Sequence, residues 1–212
     1  MADKPLWYWD DSAQRYRGSD GRFVGVRQMQ ELREVFMNQQ KLTLADMALR
    51  FDRKEITLDQ FRNAAKLIIK DTYIDLYAMG AGGRNNLSQR DWGRIGAMLK
   101  EQWKYLRAMF LDIGTGKISA QQAAARFAMY INSANEALWK ALTRDLGFDL
   151  PAYPGDGSTQ CLTNCKCEWD VQKVAEGVDA YWILGEAEHC DDCVTRSQDW
   201  APWKWPIARQ NE

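Results

Sequence analysis

Five cysteines lie between positions 161 and 193, and the chain has no others. They run Cys161-x3-Cys165-x-Cys167 and, after 21 intervening residues, His189-Cys190-x2-Cys193. Thiolates and imidazole are the donors that zinc prefers, four of them in a tetrahedron. A Cys-x-x-Cys turn offers two thiolates at once, so Cys190 and Cys193 are the first expected pair. Two of Cys161, Cys165 and Cys167 complete the set, and His189 is a reserve ligand. In an extended stretch Cys165 and Cys167 face opposite sides. Cys161 with Cys167 and Cys161 with Cys165 therefore both stay open.

Other thiol chemistries fit less well. A disulfide framework spreads an even number of cysteines along a secreted chain. Here the number is odd and the spacing tight, and the opening MADKPLWYWDD lacks the basic and apolar regions of a secretory signal. A redox Cys-x-x-Cys needs a stabilised thiolate, and Asp191-Asp192 between the sulfurs opposes it. Five thiols and an imidazole are enough to close a metal's coordination shell, which points to structural rather than catalytic zinc. His189 is the single histidine, which removes most acid–base and nucleophilic constellations built on that residue. The chain is expected not to be an enzyme. A small zinc or thiol enzyme and a zinc-dependent nucleic-acid-binding protein are the alternatives.

Charge is unevenly divided. The whole chain of 212 residues is at −1, but positions 151–212 hold five Lys/Arg against eleven Asp/Glu, a net of −6, which leaves +5 for 1–150. An acidic cysteine module repels phosphate, and a modest positive excess over a large body reads as a solvated surface, so direct DNA contact is not expected. With 46% hydrophobic residues the chain can bury a core, and no run nears ~18 consecutive apolar residues, so no membrane span is expected.

The elements that must carry the cysteines follow from punctuation and period. Residues 1–25 show two short apolar runs around Gly18-Ser19-Asp20-Gly21, which predicts a β-hairpin arm. Residues 26–148 read as an antiparallel helical bundle. Its first segment, Val26–Phe51, is one helix or two broken near Gln40. The second covers Leu58–Met79, with Thr57 and Gln60 as a capping box and Ile56 against Phe61 as a staple. The third covers Gln89–Ile113, capped by Ser88 with Leu87 and Trp92 as staple; its Trp92, Ile95, Leu99, Trp103, Leu106, Phe110 and Ile113 form an apolar seam. The fourth covers Ala120–Leu146, opened by Ser119 and Gln122 and closed by Gly147. The likeness of 55–60 to 117–122 reflects shared capping chemistry rather than duplication. Gly80–Gly83 lacks the Gly-Lys-Ser/Thr of a phosphate loop and reads as a helix–helix turn. Asp71 and Asp75 read as a solvated stripe. Residues 149–212 form the small cysteine module with a Trp/Pro-rich tail. Trp7, Trp9, Trp200, Trp203 and Trp205 crowd the two ends, either as core cover or as anchors for another protein.

Several of these stretches together resemble the minor head, or head morphogenesis, proteins of tailed bacteriophages. They are Arg15-Tyr16-Arg17 with Gly21–Val24, Gly82-Gly83 with Asp91-Trp92-Gly93, and Tyr105-Leu106. In the last part they are Tyr153–Thr159, Asn164-Cys165-Lys166-Cys167-Glu168-Trp169, and Trp182 with Glu188–Cys193. The Asn-Cys-Lys-Cys and His-Cys-x-x-Cys pair is the most specific part. In that family the Cys-x-x-Cys half often comes first; here the order is reversed, so the resemblance leaves the ligand pairing open. It implies a virion protein assembled in the bacterial cytoplasm, in multiple copies, near the portal. Its implied partners are the portal protein, the major capsid protein, or both. Members become enzymes only when a further domain is fused, and this chain has no room for one.

Overall fold

The computed structural model describes residues 6–206 apart from 147, 176 and 187. The chain divides into two compact units, Met1–Leu150 and Pro151–Glu212. The first is mainly helical with a small two-stranded sheet at its start; the second holds the cysteines.

In the first unit, β1 (Trp7–Asp10) pairs antiparallel with β2 (Arg15–Gly18). The turn differs from the expected one. The Asp10 carboxylate accepts the backbone N–H groups of Ser12 and Ala13, each at 3.0 Å, and so closes the chain at 11–14. The glycine turn at 18–21 yields only the isolated bridge Arg17↔Phe23. The hairpin docks through Tyr16, whose hydroxyl lies 2.9 and 2.7 Å from the carbonyl oxygens of Ala78 and Met79.

The helices are α1 (Val26–Asp52), α2 (Leu58–Ala81), α3 (Gln89–Gly114), α4 (Ala120–Ser133) and α5 (Asn135–Leu142). The stretch from Val26 is unbroken at Gln40. Three of the starts carry reciprocal capping boxes: Thr57 with Gln60, Ser88 with Asp91, and Ser119 with Gln122. The segment expected to run unbroken to Leu146 divides at Ala134. Ser133 Oγ bonds back to the Met129 carbonyl at 3.0 Å, and Asn135 follows. Such short polar side chains compete with the helical ladder. The expected stop at Gly147 lies outside the described residues.

α2 is the central element, packed against α1, α3 and α5, while α1 also lies along α4. Phe61 of α2, Phe110 of α3 and Phe127 of α4 meet with centroids 5.3 to 5.8 Å apart. Three helices thereby share one aromatic contact, each ring contributing about 1.5–3 kcal/mol on burial. On α3 the expected seam is buried except at Trp103, in its middle and only partly covered, and at Trp92, which stands 44% exposed. The glycines after α2 do steric work. Gly82 and Gly83 have φ of 76° and 101°, and a Cβ on Gly83 would lie 2.8 Å from Trp9 Cβ. Asp75 is not a free carboxylate, because Arg84 pairs with it at 2.5 Å. Burial nevertheless holds its pKa above the ordinary range. No helix among the described residues is long and apolar enough to cross a membrane.

The second unit, expected as a small cysteine module with a Trp/Pro-rich tail, contains a sheet. β3 (Glu168–Val174), β4 (Gly177–Ile183) and β5 (Trp203–Pro206) form an antiparallel sheet in that order, and α6 (Asp191–Asp199) follows β4. Its core is tryptophan. Trp169 stacks on Trp200 at 5.4 Å, and Trp182 meets both edge-on at 5.2 and 5.7 Å. Arg196 of α6 lies over Trp182 and Trp200, 5.3 and 5.2 Å from their centroids. Trp7 and Trp200 therefore serve as cover: Trp7 meets Phe36 at 5.2 Å, and Trp200 completes the tryptophan core.

Candidate metal centre

Three segments of the second unit bring the cysteines together. Cys161 and Cys165 flank a short 3-10 turn, Leu162–Asn164. Cys167 immediately precedes β3. Cys190 is the N-cap of α6, and Cys193 lies in its first turn. The loop before Cys161 is shaped by Asp156, whose carboxylate accepts the backbone N–H groups of Tyr153 and Ser158, both at 2.8 Å. Gly155 and Gly157 supply the left-handed φ of 83° that this loop needs. Asp192 then ties it to α6 by accepting the Gln160 N–H at 2.8 Å. Arg196 adds a second tie, donating to the Ser158 carbonyl at 3.0 Å.

The sulfurs converge. Cys161, Cys165 and Cys193 have Sγ atoms all within 4.8 Å of one another and form a group able to hold a metal ion. Cys165 and Cys193 are 3.6 Å apart, Cys161 and Cys193 3.8 Å, and Cys190 lies 3.7 Å from Cys161. All five cysteines are free thiols. A tetrahedron of sulfurs around zinc, with Zn–S of about 2.3 Å, has edges of about 3.8 Å. The three measured separations match those edges.

Cys167 joins the group from the other side. Cys165 and Cys167 are close enough to shift each other's acidity, unlike the opposed orientation that an extended stretch would give. The reason is local: Cys165 closes the 3-10 turn, and the strand begins only at Glu168. His189, the remaining candidate, is outside the group of three, as are Cys167 and Cys190.

Crowding spreads the thiol acidities. The hydrogen bond from Cys165 brings the Cys167 pKa down to about 5, against the cost of burial. That same bond, with burial, pushes Cys165 up. Burial, then the bond with Cys190, pushes Cys193 up as well. Burial acts against the Cys190 thiolate, but the backbone N–H groups of Cys193 and Cys161 outweigh it and lower its pKa. A set of thiols that cannot all ionise in isolation is the electrostatic setting a divalent cation relieves.

Two supporting residues escape a reading of the sequence. A Cβ on Gly185 would lie 2.5 Å from the Lys166 carbonyl oxygen, so only glycine lets the chain after β4 pass beside Cys167. The Gly185 N–H also favours the Cys167 thiolate. Asp192 was legible only as a negative charge; its loop-tying role depends on a partner 32 positions away.

Comparison with protein-family models, curated proteins and solved structures finds no match for this chain.

Proposed function

We propose that this chain is a structural minor head protein of a tailed phage, acting in head assembly near the portal, with a structural zinc ion in its second unit. The observation that carries the metal part is the convergence of Cys161, Cys165 and Cys193 at separations of 3.6 and 3.8 Å. Cys190, 3.7 Å from Cys161, supplies the fourth sulfur, and Cys167 stands beside the closed shell. Clusters of several irons hold their cysteines around a larger core, so a single ion suits this spacing better. Zinc supplies a cross-link between the loop at 161–165 and the start of α6. That matters in a unit of about 60 residues, where apolar burial alone stabilises weakly.

The phage assignment rests on the resemblance of the Asn164–Trp169 and Glu188–Cys193 motifs. In this reading the helical body, an antiparallel bundle, is the rigid part. The half-exposed Trp205, stacked on Trp203 at 5.9 Å, belongs to a surface for portal or capsid subunits.

Elemental analysis of the purified chain should give about one zinc per molecule, with X-ray absorption showing four sulfur neighbours. A bound water in the first shell would point to the zinc-enzyme alternative and sink the structural reading. Crosslinking from Trp203 and Trp205 positions in phage particles should capture the portal or major capsid protein. A metal-dependent gel shift with DNA at physiological salt, without such crosslinks, would favour the nucleic-acid-binding alternative.

A further inference from the structure

A groove of about 1020 Å³ lies in the first unit between the start of α2 and the last turns of α3. Trp103 and Leu111 of α3 line its apolar side, above the buried Leu106 and Phe110, with Leu58 of α2 opposite. The walls also carry Arg62, Lys66, Lys104 and Arg107, and no Asp or Glu lines the groove. Arg62 is answered by Asp59 at 2.6 Å and Lys104 by Glu101 at 2.5 Å. Lys66 and Arg107 are exposed and have no ion pair or hydrogen bond among the described residues. Leu111 is 64% exposed, an aliphatic side chain left in water beside two unanswered cations. Leu58 packs closely on Gly114, where a Cβ would come within 2.8 Å of its Cδ2.

We propose that this groove docks an acidic amphipathic helix of another protein. Apolar side chains of that helix would lie along Trp103, Leu111 and Leu58, and its carboxylates would meet Lys66 and Arg107. Charge complementarity selects an anionic occupant. Two unanswered cations select a peptide over a nucleic acid, which calls for a longer track of cations along its phosphates. Trp103, Arg107 and Leu111 lie four apart along one stripe of α3, which is how one helix reads another in a groove. The inference concerns the helical body alone and does not depend on the metal or on the phage assignment.

The test uses the full chain and a fluorescein-labelled synthetic helix with leucines on one face and glutamates on the other, read by fluorescence anisotropy. Saturable binding is expected. It should weaken at least tenfold in the double variant Lys66→Glu/Arg107→Glu and in Leu111→Glu. The same peptide with lysine in place of glutamate should not bind. All three residues are exposed, so helical circular dichroism should be unchanged; if charge reversal unfolds the body, Lys66→Gln/Arg107→Gln carries the same comparison. Absence of binding, or equal affinity for wild type and variants, overturns the proposal. So does displacement of the peptide by a single-stranded oligonucleotide whose own binding is lost in the same variants.

Discussion

The Tyr77 hydroxyl donates a buried 2.6 Å hydrogen bond to the Asp91 carboxylate, joining the last turns of α2 to the first turn of α3. Asp91 also accepts from the Ser88 N–H at 2.9 Å and the Ser88 hydroxyl at 2.7 Å. Arg144 approaches it at 3.5 Å. One carboxylate therefore caps α3, holds α2 and meets the segment after α5.

That arrangement gives a pH dependence. Burial opposes the Asp91 charge, but the bonds from Tyr77 and Ser88 outweigh it and lower its pKa below the ordinary value of 3.8. A lowered carboxylate contributes stability that is complete above the unfolded-state pKa and is lost as pH falls through the folded one. Tyr77→Phe should cost about 1.5–3 kcal/mol at neutral pH. Its deficit relative to wild type should shrink below about pH 3.8. Urea unfolding of both proteins across pH 2.5–7 checks this; a deficit independent of pH would show that the bond does not act on the charge.

Gly80 tests the packing of α2 on α5. Within a helix, alanine is normally better than glycine by about 1 kcal/mol. Here a Cβ would lie 2.5 Å from the Leu138 carbonyl oxygen and 2.8 Å from Ala141 Cβ. Backbone cannot swing aside as a flexible side chain can. Gly80→Ala should therefore destabilise the first unit by about 1–3 kcal/mol, seen as a lower urea midpoint with the slope unchanged. A rise in stability would mean that the two helices are less closely apposed.

The cysteines separate by role. Cys193→Ser should abolish metal binding and loosen residues 151–206 while the first unit keeps its helical circular dichroism, since the two units are separately compact. Cys190→Ser should do the same, and Cys167→Ser should retain about one zinc per chain. Metal content by mass spectrometry decides. Retention by Cys190→Ser with loss by Cys167→Ser would transfer the fourth position to Cys167.

Helix starts and the grouping of the cysteines were determined by the sequence itself. A capping box is closed between positions three apart, as at Thr57–Gln60 and Ser119–Gln122, so its chemistry is complete within one local stretch. The apolar seam of α3 is local in the same sense. Tertiary structure decided which sulfurs meet. Cys165 and Cys193 are 28 positions apart, and their approach depends on the Asp192 tie, on the passage at Gly185 and on the sheet between them. It also decided the hairpin, where the Asp10 side chain captured the turn from the more conspicuous glycines. The same holds for the second unit, where Trp169, Trp182 and Trp200 form a core from three distant segments. Local hydrogen bonds can be read from spacing because the chain between their ends is short and nearly rigid. Contacts across long loops are selected by the packing of everything between them, and no spacing rule carries that information.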